Sequence, residues 1–275
     1  MSLTPPPAFL SFGASRISYS RWGTGSKLLL CFHGYGESAE SFAFLEDPLG
    51  REFTILAMDM PFHGGTEWRE GLFFDPADLP GLIERMLAAE SFADQRWWLL
   101  GYSMGGRVVL SLLEKVPQKI EKGILLAPDG LTMNRWYWLA TQTRWGNRLF
   151  RLAMSKPRLF LFTLKMADRL RLVNRSIYKF TINYIDHAQE REDLYKRWTT
   201  MRGFRPDLRV LQSVVREHEV PLRLFYGRYD RIIRPEIGER FSREARPWCK
   251  LAMLNCGHQL LQPRNLDELI GLMME

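Results

Sequence analysis

The sequence predicts an α/β fold: a mostly parallel central sheet with helices on both faces, interrupted by an inserted helical segment. Three observations predict it. Short apolar runs alternate with amphipathic helical stretches, the pattern of a parallel sheet covered on both sides. A strand, a sharp turn and a helix follow one another around Gly101-Tyr102-Ser103-Met104-Gly105-Gly106. The strand pattern then pauses between Leu131 and Pro206, where no run reads as a central strand.

Each element has a local reason. Pro5-Pro6-Pro7 marks an extended lead-in, and Phe9 to Trp22 alternates loosely enough for two short strands. Lys27 to Phe32 is a buried strand ending in His33-Gly34-Tyr35-Gly36-Glu37-Ser38, a turn. Ser41 to Leu49 can form a short helix, and Phe53 to Asp59 is the next strand, closed by Met60-Pro61-Phe62-His63-Gly64-Gly65. Ala77 to Ser91 places Leu79, Leu82, Ile83, Met86 and Leu87 on one helical face. Arg96 to Leu100 is a strand, and Arg107 to Leu113 repeats apolar residues at helical spacing. Gly123 to Gly130 is another strand. After the insert the sheet resumes at Val220 to Gly227, followed by a helix over Pro235 to Ala245, a strand over Lys250 to Leu254 and a helix over Asn265 to Met274.

The chain of 275 residues is long enough for one large domain carrying a smaller inserted one. Its 46% hydrophobic and 25% charged content is that of a soluble globular protein. No apolar run approaches the roughly 20 residues needed to span a bilayer. Met1 to Phe12 lacks the basic region and long apolar core of a signal peptide. The three cysteines, Cys31, Cys249 and Cys256, suggest a reducing compartment rather than a disulfide framework, and the expected location is cytoplasmic. Between Leu131 and Pro206 there are 16 Lys and Arg against 5 Asp and Glu, a net of 16 − 5 = +11, so the remainder of this +7 chain carries 7 − 11 = −4. The expected organisation is a mildly acidic body, residues 1–130 and 207–275, with a strongly basic helical insert, residues 131–206.

The chemistry centres on Ser103. A Gly-x-Ser-x-Gly pattern between a strand and a helix forces the serine into a strained backbone state, and Gly101 and Gly105 leave room for it. The hydroxyl is lifted clear of the sheet at a helix start, where free N–H groups favour developing negative charge. A serine becomes a good nucleophile when a base takes its proton and a third group orients that base. Loops after the C-terminal ends of parallel strands open on one side of a sheet. Ser103, Asp230 and His258 each follow a strand, so they can converge there as nucleophile, acid and base. Asp129, just after the strand at Ile124 to Ala127, is the competing acid. No cysteine has defensible metal-ligand spacing to a histidine, and neither a metal nor a cofactor is implied.

These motifs resemble those of the α/β-hydrolases. His33-Gly34-Tyr35-Gly36 is similar to the family's oxyanion-loop motif, and Asp59 to Gly64 to its D-x-P-G-H-G motif with Phe62 in place of the usual glycine. Gly101 to Gly106 matches the elbow, Gly227-Arg228-Tyr229-Asp230 the turn carrying the acid, and Gly257-His258 the turn carrying the base. The chain order Ser, Asp, His is that of the fold. The resemblance implies an oxyanion hole formed by the backbone N–H groups of Tyr35 and Met104, donors worth about 3 kcal/mol each in the transition state. It gives His33 and His63 the task of pinning loops beside the site, and it makes the insert a cap. His187 and His218 carry no expected role. A serine at the elbow implies an acyl-enzyme, whereas members that open epoxides or displace halides use an aspartate there.

The implied activity is hydrolysis of carboxylic esters of small to medium hydrophobic acyl groups. One alternative is a thioesterase, or a hydrolase of esters linked to acyl carrier protein or CoA, that docks its partner by the basic cap. Another is a ligand receptor with very slow or no turnover. The insert mixes its cations with Trp136, Tyr137, Trp138, Trp145, Leu149, Phe150, Leu159, Phe160, Phe162, Leu164 and Met166. These apolar groups are expected to pack onto the sheet domain or line an acyl pocket. The cations suit an acidic carrier protein, an anionic substrate or an anionic membrane surface. No motif for nucleic acid accompanies them.

Overall fold

Apolar runs too short for helices form the strands of the computed structural model, which describes residues 6–92, 95–157 and 187–275 together with Phe162, Lys165, Met166 and Arg169. Ala8–Phe12 (β1) and Ser15–Trp22 (β2) form an antiparallel hairpin, and β2 pairs antiparallel with Phe53–Met58 (β4). Lys27–Phe32 (β3), β4, Trp97–Tyr102 (β5), Ile120–Leu126 (β6), Leu222–Gly227 (β7) and Cys249–Leu254 (β8) run parallel. The order across the sheet is β1-β2-β4-β3-β5-β6-β7-β8. Every residue of β4, β5 and β7 is buried, as strands covered on both faces require. Trp22, Phe42, Phe53, Leu100, Phe225 and Leu269 belong to one buried apolar cluster of this sheet.

Among the described residues the helices in chain order are Glu46–Leu49 (α1), Leu79–Ala89 (α2), Met104–Lys115 (α3), Arg135–Gln142 (α4), Arg144–Ser155 (α5), Ala188–Thr200 (α6), Leu208–Glu217 (α7), Pro235–Glu244 (α8) and Leu266–Met274 (α9). Three elements differ from the sequence reading. The expected helix over Ser41 to Leu49 is a 3₁₀ stretch, Ala39–Leu45, followed by the single turn of α1. Helix α7 was not foreseen, although Asp207 caps it by accepting from the N–H of Arg209 at 2.9 Å and Leu211 and Val215 bury its inner face. Strand β6 begins at Ile120, not Gly123, and so includes a buried lysine. Lys122 lies 4.6 Å from the Trp98 ring centroid and donates to the Met273 carbonyl.

Packing divides the chain into two compact units: Met1–Glu70, Asp75–Thr132 and Gly203–Glu275 form the first, and Gly71–Phe74 with Met133–Arg202 form the second. The first holds the sheet. The second is held by polar and aromatic contacts among its helices. Asn134 caps α4 and Thr143 caps α5. A Cβ on Gly146 would lie 1.9 Å from the Leu139 carbonyl, so only glycine permits so close a crossing of α4 and α5. Tyr195 donates to Asn147 Oδ1 at 3.0 Å, and the Phe150 ring lies 5.4 Å from Tyr195 and 5.7 Å from Trp198.

The apolar groups of the insert, expected to pack onto the sheet domain or line an acyl pocket, differ in exposure. Tyr137 is buried and Phe150 half-buried, whereas Trp136, Trp138, Trp145, Leu149, Phe162 and Met166 are exposed. The inner face of α5 is already filled by Gly146, Asn147, Phe150 and Met154, which leaves its other sectors outward. Pro5, Leu159, Phe160 and Leu164 lie outside the described residues. Among the described residues no helix is long and apolar enough to cross a membrane. Cys31, Cys249 and Cys256 are buried free thiols, and burial raises the pKa of all three, that of Cys249 to about 12.

Candidate active site

Ser103 joins β5 to α3 with φ 49° and ψ −110°, a conformation that costs an L-residue on the order of 1–3 kcal/mol. Three backbone hydrogen bonds hold it there. Its N–H donates to the Leu126 carbonyl at 2.9 Å, and its own carbonyl accepts from the N–H groups of Gly106 and Asp129 at 2.9 Å each. Gly105 makes the turn possible, because a Cβ there would stand 1.9 Å from the Phe32 carbonyl oxygen. The first turn of α3 therefore lies directly against the end of β3.

Asp230 and His258 arrive from the ends of β7 and β8. Their two turns touch, since a Cβ on Gly227 would lie 2.1 Å from the Gly257 carbonyl. The Asp230 carboxylate is fully buried. Its Oδ1 accepts from the N–H groups of Ile232 at 2.8 Å and Ile233 at 3.0 Å, and its Oδ2 stands 2.7 Å from His258 Nδ1. His258 Nε2 lies 2.9 Å from Ser103 Oγ. A carboxylate can only accept, so the Nδ1 facing it carries the proton and Nε2 is left to accept from the serine. The Tyr102 hydroxyl, donating to the His258 carbonyl at 3.2 Å, fixes the backbone of the histidine turn. Asp129, the competing acid, instead pairs with the buried Arg107 of α3.

The loop after β3 is fixed from β4. His33 Nδ1 donates to the Gly34 carbonyl at 2.7 Å, and its Nε2 accepts from the Met60 N–H at 3.1 Å. Asp59 accepts from the N–H of Ala39 at 2.7 Å with one oxygen and of Gly65 at 2.9 Å with the other, tying both loops to one carboxylate. His63 Nδ1 meets the Pro61 carbonyl at 2.9 Å, and the His63 ring lies 4.9 Å from that of His33. Phe62 stands where the related motif has glycine, and it takes φ 63°, the left-handed conformation that explains why glycine is usual there. Tyr35 lies in the turn closed by the Glu37 N–H donating to the Gly34 carbonyl at 3.3 Å, with Gly36 at φ 75°. Met104 is the first residue of α3, so its N–H has no acceptor within the helix.

Glu37 was missed by the sequence reading as anything but a turn residue. Its Oε2 accepts from the Gly34 N–H at 3.2 Å. Burial raises its pKa, against the opposing pulls of that N–H, of His258 and of the Ser41 hydroxyl. The Tyr102 phenol is pushed up by burial, then by Glu37 and Asp230. A half-buried carboxyl beside the histidine leaves no local signal in a turn of small polar residues. His187 and His218 sit exposed at the ends of α6 and α7. Among the described residues no three His, Cys, Asp or Glu side chains are grouped as metal ligands.

A hydroxyl, an imidazole and a carboxylate in one hydrogen-bonded line can activate the hydroxyl as a nucleophile. The family profile described as the alpha/beta hydrolase fold matches residues 27–261. The uncharacterized hydrolase YugF of Bacillus subtilis strain 168 is 25% identical over 250 residues, 90% of this chain and 88% of that protein. The pimeloyl-[acyl-carrier protein] methyl ester esterase of Aeromonas salmonicida is 29% identical over 122 residues, 44% of this chain and 45% of the esterase. A further match, to the dihydrolipoyllysine-residue acetyltransferase component of the acetoin cleaving system of Cupriavidus necator, is 30% identical and spans about a third of that longer protein, 32%. A solved probable hydrolytic enzyme from Pseudomonas aeruginosa PAO1 superposes with a TM-score of 0.71 at 15% identity, over 98% of this chain and 94% of the other.

Proposed function

The chain belongs to the alpha/beta hydrolase fold family, and on that premise we propose that it is a serine hydrolase that cleaves carboxylic esters of small to medium hydrophobic acids. The observation that carries the reading is the line from Ser103 Oγ through His258 to Asp230, at 2.9 and 2.7 Å. In this reading Ser103 Oγ attacks the ester carbonyl carbon as its proton passes to His258 Nε2. Asp230 keeps the ring oriented and stabilises the imidazolium, without itself taking the proton. The oxyanion forms against the N–H groups of Tyr35 and Met104. His258 then protonates the leaving alkoxide, the C–O bond breaks, and the acyl group remains on Ser103. Water attacks that acyl-enzyme by the same proton route, releasing the acid and restoring the serine.

The test is hydrolysis of p-nitrophenyl esters from acetate to palmitate by the wild type and by Ser103→Ala. Expected is turnover that peaks at short to medium chains and falls by on the order of 10⁴-fold in Ser103→Ala. Equal turnover by the two proteins would exclude the serine mechanism. The same chemistry would serve a thioester or a carrier-linked ester, a reading favoured by the partial match to the carrier-protein esterase. That reading requires carrier-bound substrate to be preferred over the free ester, with a steep salt dependence that the free ester lacks.

A further inference from the structure

Helix α5 carries two outward stripes. Trp145, Leu149 and Leu152, spaced four and three residues apart, form one; they are 76%, 60% and 46% exposed. Arg144, Arg148 and Arg151, with the same spacing, form the adjoining one, all exposed and none paired with an acid in the second unit's described residues. Helix α4, joined to α5 through Thr143, adds Trp136 at 74%, Trp138 at 42% and Leu139 at 44%. The sequence from Gly130 to Ala167 contains seven Lys and Arg and no Asp or Glu.

Each half of this pattern is costly or idle in water alone. Large exposed apolar patches on a soluble protein mark an interaction surface. Indole rings join an apolar body to one N–H donor, which suits the boundary between lipid and water. An uninterrupted arginine stripe beside them supplies forked donors at the height of lipid phosphates. With 12 residues, α5 is too short to span a bilayer and is long enough to lie in its surface. An acidic carrier protein would match the arginines, but three indoles and three leucines present a broad face rather than a small socket. A fluid apolar layer covers such a face without needing a complementary shape.

We propose that the outward face of α4 and α5 is a docking surface for an anionic membrane. Trp145, Leu149 and Leu152 enter the headgroup region, and Arg144, Arg148 and Arg151 bind lipid phosphates. The surface is independent of the serine chemistry, so it stands or falls apart from it.

The test is co-sedimentation of the full chain with vesicles of phosphatidylcholine alone or mixed with phosphatidylglycerol. The mixed vesicles are expected to bind it, with a blue shift of tryptophan emission, and binding is expected to weaken as salt rises. W145A/L149A/L152A should lose roughly tenfold or more in affinity, and R144Q/R148Q/R151Q should lose the preference for phosphatidylglycerol. Circular dichroism and thermal melting verify that both variants fold. If either fails to, quenching of wild-type tryptophan emission by brominated phosphatidylglycerol replaces it, and absence of quenching overturns the proposal. So does failure to bind mixed vesicles, or binding that neither variant alters. Binding to an acidic carrier protein through these same residues, without binding to vesicles, would assign the surface to that partner instead.

Discussion

The two units of this chain use their polar residues in opposite ways. In the sheet unit the decisive ones are buried and fully engaged: Asp230 accepts three hydrogen bonds, Asp59 clamps two loops, and His33 bridges two strand ends. In the helical unit Arg144, Arg148 and Arg151 stand in solvent beside tryptophans, and residues 133–202 hold eight of the fourteen exposed large hydrophobic side chains among the described residues. Buried polar groups fix one geometry, because leaving any of them unpaired is expensive. Exposed cations fix nothing within the fold, and their energy is realised only against something outside it. The sheet unit thus engages its polar groups internally, whereas α5 leaves its arginines in solvent.

The sharpest way to break this comparison is through the two aspartates of the sheet unit. Asp230→Asn should cut kcat/KM for a p-nitrophenyl ester by on the order of 10⁴-fold with little change in stability, because the amide cannot hold His258 in the required tautomer. Asp129→Asn should leave kcat/KM within about tenfold but cost about 1–3 kcal/mol in urea unfolding, because it leaves Arg107 buried without its carboxylate. The reverse pattern would make Asp129 the acid.

A middle-sized effect belongs to Lys122. Burial, then the neighbouring Arg223 and Lys250, lower its pKa to about 8. The unfolded chain therefore binds more protons than the native one between about pH 8 and pH 10.5, and stability should rise with pH across that window. Lys122→Met keeps the stem against Trp98 and removes the titration. Its urea midpoint should exceed that of the wild type most near neutral pH, the gap closing toward pH 10.5. A constant gap would show that the buried ammonium is not the cause.

The smallest effect is expected from the helical unit. R144Q/R148Q/R151Q should change unfolding free energy by less than about 0.5 kcal/mol per site, since these side chains make no ion pair in the second unit's described residues. A loss several times larger would mean that the arginines are structural and would erase the contrast between the units.

Sequence reveals what is local. The strands follow from apolar runs, and the elbow from two glycines around Ser103, because in each case the cause lies within a few residues. The three side chains that share the hydrogen-bonded line are those at the strand-end turns the sequence singles out. Neither the half-buried Glu37 nor the buried Lys122 was legible as such. What covers Lys122 is Trp98 from β5 and a carbonyl from α9, 151 residues on, and no local pattern announces that. Periodicity declares that α5 has two faces, but which one is covered depends on α6, far along the chain. Helix α7 was legible in Asp207, Leu208, Leu211 and Val215; its polar interruptions masked it.

Ser103 and His258 are 155 positions apart, and Asp230 and His258 follow the last two strands in the chain. Synthesis therefore makes Ser103 before either of the side chains it lines up with. Until residue 258 is made, the imidazole that stands 2.9 Å from Ser103 Oγ does not exist. All eight strands end before residue 258, so the hydrogen-bonded line of the proposed mechanism is completed only after the last strand has been made.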